Sequence, residues 1–278
     1  MVRHTGEWMG LLAGLPFMAM AATPERVVSV VPHLTELLYE IGAGDKLVAV
    51  DDASDYPPEV TGKPKVANYR SINVEALLAQ KPDLILAWRS AQSRMLAPLE
   101  KLGIQVFYSE PTDFDSLAGE MRALGNMLGV EQRANEAADR YLTRLTTLRQ
   151  RYNHPTGVKV FYQLWYPPLT SASGQAWPAQ AIELCGGINV MTHAKTPYPQ
   201  VSQEQVIKAN PGLILAGSDD PGALAHWQQW TMIDAVKQGR LALINSDELH
   251  RFTPRALNAV EQVCSAIWQN RTTPVTSP

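Results

Sequence analysis

Between Arg26 and Tyr108 the chain alternates short β-rich runs with segments whose apolar positions recur at helical spacing. Val27 to Val31 (VVSVV) reads as a buried strand, stopped by Pro32. Leu34 to Ile41 (LTELLYEI) reads as a helix, with Gly42 placed to cap its end. Leu47 to Val50 is a second strand, and Ser54-Asp55-Tyr56-Pro57-Pro58 a loop. Asn73 caps a helix that Pro82 ends, and Leu84 to Trp88 is a third strand. A helix near Met95 to Leu102 stops at Gly103, before a fourth strand at Gln105 to Tyr108. Strands alternating with helices predict a parallel sheet covered on both faces.

From Ser116 to Tyr152 the pattern changes. There is no Pro and no strand signal, and apolar residues keep helical spacing from Leu117 to Leu148. This predicts one long helix, or two broken near Gly129. After His154-Pro155-Thr156-Gly157 the alternation resumes with a strand at Val158 to Leu164 and a helix around Ala179 to Leu184. A late strand at Leu241 to Asn245 and a closing helix at Pro254 to Gln269 complete the chain. The expected fold is α/β: two lobes with central parallel-type sheets joined by one long connecting helix, with a ligand cleft between the lobes. The expected divisions are a signal peptide at 1–22, an N-terminal lobe at 23–112, the connecting helix at 113–153 and a C-terminal lobe at 154–278.

One motif occurs twice. Asn73 to Trp88 reads NVEALLAQKPDLILAW, and Ser202 to Gly217 reads SQEQVIKANPGLILAG. Each copy is a capped helix, a Pro and an apolar strand, with an acid (Glu75 or Glu204) two residues after the cap. An acid in a first helical turn complements the helix dipole, worth about 0.3–1 kcal/mol, which accounts for either one alone. Two matched acids on separate lobes also suit a two-point contact with a symmetric basic partner.

Composition changes this picture in two places. The formal net charge of −3 gives no reason to expect nucleic acid or an anionic membrane surface as partner. The first residues stand apart: Arg3 and His4 precede an apolar run, Leu11 to Ala22, that ends in Ala19-Met20-Ala21. That is the layout of a secretory signal peptide, although Glu7 weakens its positive end; a disordered tail is the other reading. No Cys follows the cleavage region to carry a lipid anchor, and no other segment reaches the roughly 18 apolar residues of a span. Export makes the even pair Cys185 and Cys264 a candidate disulfide worth about 4 kcal/mol, against two buried thiols.

Enzyme signatures are thin. Gly42-Ala43-Gly44 lacks the third glycine of a dinucleotide fingerprint and follows a helix. Phosphate-loop and nucleophile-elbow motifs are absent, and the six histidines never fall four apart on one helix. No catalysis, no metal site and no resident cofactor are expected. Of the histidines only His33, just after a strand, is placed to line the cleft. Aromatic residues carry more. Tyr69 precedes the first repeat, Trp88 ends a strand beside Arg89, and Trp165-Tyr166 follow another. Tyr198 precedes the second repeat, and Phe252 sits beside Arg251 in a loop after the late strand. One aromatic at a strand end is usually core. Several at matching positions in both lobes suit a large, partly apolar ligand, with polar contacts from Arg89 and Arg251.

The segments RVVSVVPHLTELLYEIG, SDYPP, NVEALLAQKPDLILAWR, CGGINV and PQVSQEQVI also resemble a known family, the helical-backbone substrate-binding proteins of metal-chelate importers. DLILAWR and TPYPQVS lean toward its cobalamin-binding branch, and the likeness covers nearly all of the chain after the leader. The resemblance implies a periplasmic carrier that grips a corrinoid between aromatic walls as transported ligand; a monomer is the default expectation. It implies that Glu75 and Glu204 dock onto arginines of a homodimeric ABC permease with ATPase subunits, and that Cys185 and Cys264 form a disulfide. Ferric siderophore and haem carriers share the general motifs. The chain departs from the branch at Ala53 and Glu248-Leu249, where aromatics are expected, and at Tyr69 and Tyr198, where Trp is expected; Phe252 and Trp165-Tyr166 are the candidates to compensate.

Overall fold

A computed structural model describes residues 23–271; the expected signal peptide at 1–22 lies outside the described residues. The first sheet is built from β1 (Val27–Ser29), β2 (Leu47–Asp51), β3 (Lys65–Ala67), β4 (Leu84–Trp88) and β5 (Gln105–Ser109). Their order is β3-β2-β1-β4-β5 and every pairing is parallel. β1 lies in the middle and is buried along its whole length, which is why its sequence does not alternate. Between the strands run α1 (Pro32–Glu40), α2 (Val74–Ala79) and α3 (Arg89–Glu100).

The connecting segment takes the two-helix form. α4 (Ser116–Met127) and α5 (Glu131–Arg151) are separated where Gly129 adopts φ +68, a left-handed conformation that ends a helix at little cost only for glycine. α5, with its 21 residues, is the long member and spans about 30 Å.

The second sheet contains β6 (Lys159–Trp165), β7 (Thr170–Ser171), β8 (Ile188–Asn189), β9 (Leu213–Gly217) and β10 (Leu241–Ile244). The order is β10-β9-β6-β7, with β8 also on β6; only β7 is antiparallel. The helices of this half are α6 (Trp177–Leu184), α7 (Gln203–Ala209), α8 (Asp234–Lys237), α9 (Ser246–Leu249) and α10 (Ala256–Gln269).

The repeated motif forms the same local structure twice. Asn73 accepts from Ala76 N at the head of α2, and Ser202 makes a reciprocal capping box with Gln205 at the head of α7. Each helix then ends on a left-handed residue directly before a proline, Lys81 (φ 50) before Pro82 and Asn210 (φ 45) before Pro211. β4 and β9 follow.

Three apolar clusters hold the layers together. One covers the outer face of the first sheet and another that of the second. The largest is continuous through both lobes: it joins Leu34 and Leu38 of α1, Met121 of α4, Tyr141 and Leu145 of α5, Ile182 of α6 and Val260 of α10. The lobes therefore share a core across their inner faces.

Three short strands, β3, β7 and β8, carry too few residues to show a period and were not expected. α3 starts at Arg89, directly on the end of β4, and not near Met95. Buried Gln92 explains the early start: its side chain accepts from Trp88 N (2.8 Å) and donates to Val30 O (2.8 Å), tying the first turn to β4 and β1.

Cys185, at the end of α6, and Cys264, in α10, form a disulfide between residues 79 apart in sequence. Both are fully buried. Replacing the pair with alanine is expected to lower unfolding free energy by about 2–4 kcal/mol. Urea denaturation measures this, and a loss well under 1 kcal/mol would assign the helix pairing to packing alone.

Candidate functional site

In both sheets the carboxyl ends of the parallel strands point at one cleft, which is where α/β units place ligands. Three cavities open there. One of about 870 Å³ is lined from the first lobe by His33, Asn68, Tyr69 and Trp88, and from the second by His250 and Arg251. A second of about 660 Å³ lies among Gln163, Trp165, Tyr166, Ser218, Asp220 and His226. A third of about 360 Å³ lies between Trp165, Trp177, Tyr198 and Phe252. His250 lines all three.

The floor of the cleft is a chain of aromatic rings that crosses between the lobes. His33 meets Trp88 edge-on (4.8 Å), Trp88 meets Phe252 (4.8 Å), Phe252 meets Trp177 (4.4 Å) and Trp177 meets Phe114 (4.0 Å). The walls are aromatic too, but open. Tyr69 is 85% exposed, Trp165 64%, Tyr198 48% and Tyr166 42%. Tyr166 stacks flat on His226 at 3.9 Å. Large rings left open around a concavity mark a binding surface.

The two expected arginines are used differently. Arg89 turns to the outside of its lobe, over the Tyr108 ring (4.9 Å) and 4.0 Å from Glu110. Arg251 does line the cleft, yet its guanidinium is held by Glu36 (2.8 Å), Asp55 (2.7 Å) and Asp247 (3.3 Å). Arg255 reaches the same Glu36 oxygen (3.0 Å) and lies over the Tyr56 ring (3.7 Å). Glu36 sits in α1 of the first lobe with a side chain only 3% exposed, so this cluster clamps the lobes together. Burial raises the Glu36 pKa, opposed by its hydrogen bond to Arg251 and the nearby charge of Arg255. The hydrogen bond from Arg251 holds Asp55 below the ordinary aspartate range.

Two neutral histidines stand at the centre. His33 is pushed down to about 3 by burial and by the charge of Arg251, and its Nε2 lies 3.1 Å from Ser109 Oγ. His250 is pushed down to about 4 by burial, and its Nε2 lies 2.7 Å from the buried Tyr162 hydroxyl.

Glu75 and Glu204 are both exposed, in the first turns of α2 and α7. Helices that precede parallel strands run against them, so both acids sit at the strand carboxyl ends, on the rim of the cleft. Neither has an ion-pair partner among the described residues. The Ser202 side chain holds the Glu204 carboxyl below the usual range.

Where aromatics were expected, Ala53 offers the cleft a methyl group, Leu249 is fully buried core, and Glu248 bonds Asn258 (2.9 Å). Residues not foreseen at the site include His250, Trp177, Gln163 and Asn68. His250 follows a strand end and adjoins Arg251-Phe252, a placement the sequence does show. Trp177 opens a helix and reads as core, which in part it is. Among the described residues no carboxylate, histidine and cysteine cluster suits a metal ion, and no helix is long and apolar enough to cross a membrane.

Two α/β lobes, a shared inner core and an aromatic cleft at the strand ends define a binding protein. The model of the periplasmic binding protein family matches residues 27–248, and the chain belongs to that family. It is similar to the vitamin B12-binding protein of Vibrio cholerae, 40% identical over 244 residues that cover 87% of this chain and 88% of the relative. The crystal structure of the periplasmic vitamin B12 binding protein BtuF of Vibrio cholerae matches with a TM-score of 0.82 and 38% identity, over 89% of this chain and 98% of that one. The periplasmic heme-binding protein RhuT of Roseiflexus sp. RS-1 matches with a TM-score of 0.77 and 24% identity, over 88% and 98%, a likeness of fold alone.

The buried histidines make the fold acid-sensitive. Each stays neutral when folded, whereas the unfolded chain takes up a proton near 6.5, so stability is full above that pH. It is lost as pH falls toward about 4 for His250 and about 3 for His33, by up to about 1.4 kcal/mol per pH unit for each. Glu36 acts in the opposite sense, its raised pKa withdrawing stability as pH rises above 4.5. Urea unfolding at about pH 7 and about pH 5 is expected to show a net loss at the acid pH, smaller by about 2 kcal/mol in His33→Gln. An undiminished loss in that variant would move the effect to other groups.

Proposed function

We propose that the chain is a periplasmic carrier that captures cobalamin or a related corrinoid and delivers it to an ABC importer in the inner membrane. The observation that carries this reading is a preformed cleft walled by Tyr69, Trp165, Tyr166 and Tyr198 and floored by Trp88 and Phe252, in which Arg251 is already neutralised by three carboxylates and Arg70, over the Tyr69 ring, is the one other arginine of the lining among the described residues. A polyanionic siderophore calls for free converging cations. A corrinoid is a large macrocycle with an apolar face and an amide rim, and stacking suits it. The corrinoid is cargo and not a cofactor; nothing is made or broken.

Cyanocobalamin and cobinamide titrated into the purified protein by calorimetry are expected to bind at micromolar concentration or below. Trp88→Ala is expected to weaken cyanocobalamin by about tenfold to a hundredfold, since it removes a ring at the lobe junction. Failure of both corrinoids to bind the unaltered protein sinks the reading and leaves the fold untouched.

On delivery, Glu75 and Glu204 contact basic residues of a homodimeric permease that carries the ATPase subunits, with the carrier acting as a monomer. Reversing both charges (E75K with E204K) is expected to abolish transport into reconstituted vesicles or cells while leaving corrinoid affinity within about twofold, because neither acid lines the cleft. Normal import by the double variant would return both acids to a helix-terminus role.

A further inference from the structure

Gly217 ends β9 at the position where the first copy of the motif has Trp88. The room it leaves is filled from within the second lobe. A Cβ on Gly217 would collide with Tyr162 Oη and stand 2.6 Å from His250 Nε2. Those two atoms are themselves 2.7 Å apart.

The direction of that hydrogen bond follows from burial. Tyr162 is fully buried, and among the described residues His250 Nε2 is the one hydrogen-bond partner of its hydroxyl. An O–H left without an acceptor there would be costly, so the hydroxyl donates and Nε2 accepts. A neutral imidazole that accepts at Nε2 carries its proton on Nδ1. Burial keeps the ring neutral, with its pKa lowered to about 4. Nδ1 has no hydrogen-bond partner among the described residues and is not sealed from solvent, and the ring lines all three cavities.

We infer that His250 determines specificity: Tyr162 fixes its ring so that the occupant of the cleft meets an N–H donor and not the lone pair with which imidazole ligates a metal. This rests on the corrinoid reading and deepens it. A chelate whose metal already has its axial ligands and whose rim carries amide carbonyls is matched. A chelate that must draw an imidazole from the protein is turned away. His250 contacts the ligand; Tyr162 is a positioning residue, and Gly217 gives the pair its space.

Three measurements test this. Long-range ¹H–¹⁵N correlation spectra of the ligand-free protein are expected to show His250 protonated at Nδ1 and bare at Nε2. The reverse tautomer overturns the inference, whether or not corrinoids bind. Diaquocobinamide, whose cobalt exchanges its waters, is expected to keep its aqueous absorption spectrum on the unaltered protein and to shift to an imidazole-ligated form on Tyr162→Phe. A shift on the unaltered protein that His250→Asn abolishes overturns it. Finally, His250→Asn, which retains a donor at the δ position, is expected to hold cyanocobalamin within about threefold, and His250→Leu to lose about tenfold. Equal losses in the two variants, or none in either, overturn the donor role. Absence of any corrinoid binding by the unaltered protein strikes the functional reading instead and leaves the tautomer to the spectra.

Discussion

The relation between the lobes turns on one buried carboxylate. Glu36 comes from α1 of the first lobe and accepts from Arg251 and Arg255 of the second. Such a cluster is weak evidence of stability, because desolvation offsets much of the attraction. Its geometry is what matters. Two guanidiniums on one oxygen tolerate little displacement. The apolar core that runs from α1 through α4 and α5 to α10 supplies adhesion, and the ion cluster supplies register.

That register decides what the cleft can offer. Arg251 is spent on carboxylates, so beyond the exposed Arg70 at the edge much of the polarity left for a ligand comes from neutral groups such as His250, Asn68 and Gln163. The Trp88–Phe252 contact, also between lobes, sets the floor at a fixed depth. A cleft formed in advance loses little freedom on binding, and rigid aromatic walls lose less than flexible ones. The same rigidity fixes the spacing of Glu75 and Glu204, since each rides on a short helix anchored to its own sheet.

Legibility followed how local each signal was. β4 and β9, the caps at Asn73 and Ser202, and the break at Gly129 rest on residues adjacent in sequence, and they were readable. The exposed aromatics were readable because strand-end positions converge in any parallel sheet. Arg251 was located but not understood: its partner Glu36 lies 215 residues away and looks like one more polar position in an amphipathic helix. His250 was passed over for a similar reason. Its role depends on Tyr162, 88 residues distant, and mid-strand Tyr162 has the pattern of core. α3 was placed too late because Gln92, a polar residue, is what begins it. Elements were written in periodicity; partnerships between distant polar groups were not.

The repeat shows where the two halves were free to differ. Both copies keep the cap, the left-handed residue before proline, the apolar strand and the rim acid. They part most sharply at the last residue, Trp88 in one and Gly217 in the other, where each copy lines the cleft. A partner with two-fold symmetry would present the same surface twice, and outward acids that met it would gain from being alike. A corrinoid has no two-fold axis, so the inward positions gain from being different. One side supplies a ring to stack on. The other gives up its side chain so that a tyrosine can aim a histidine.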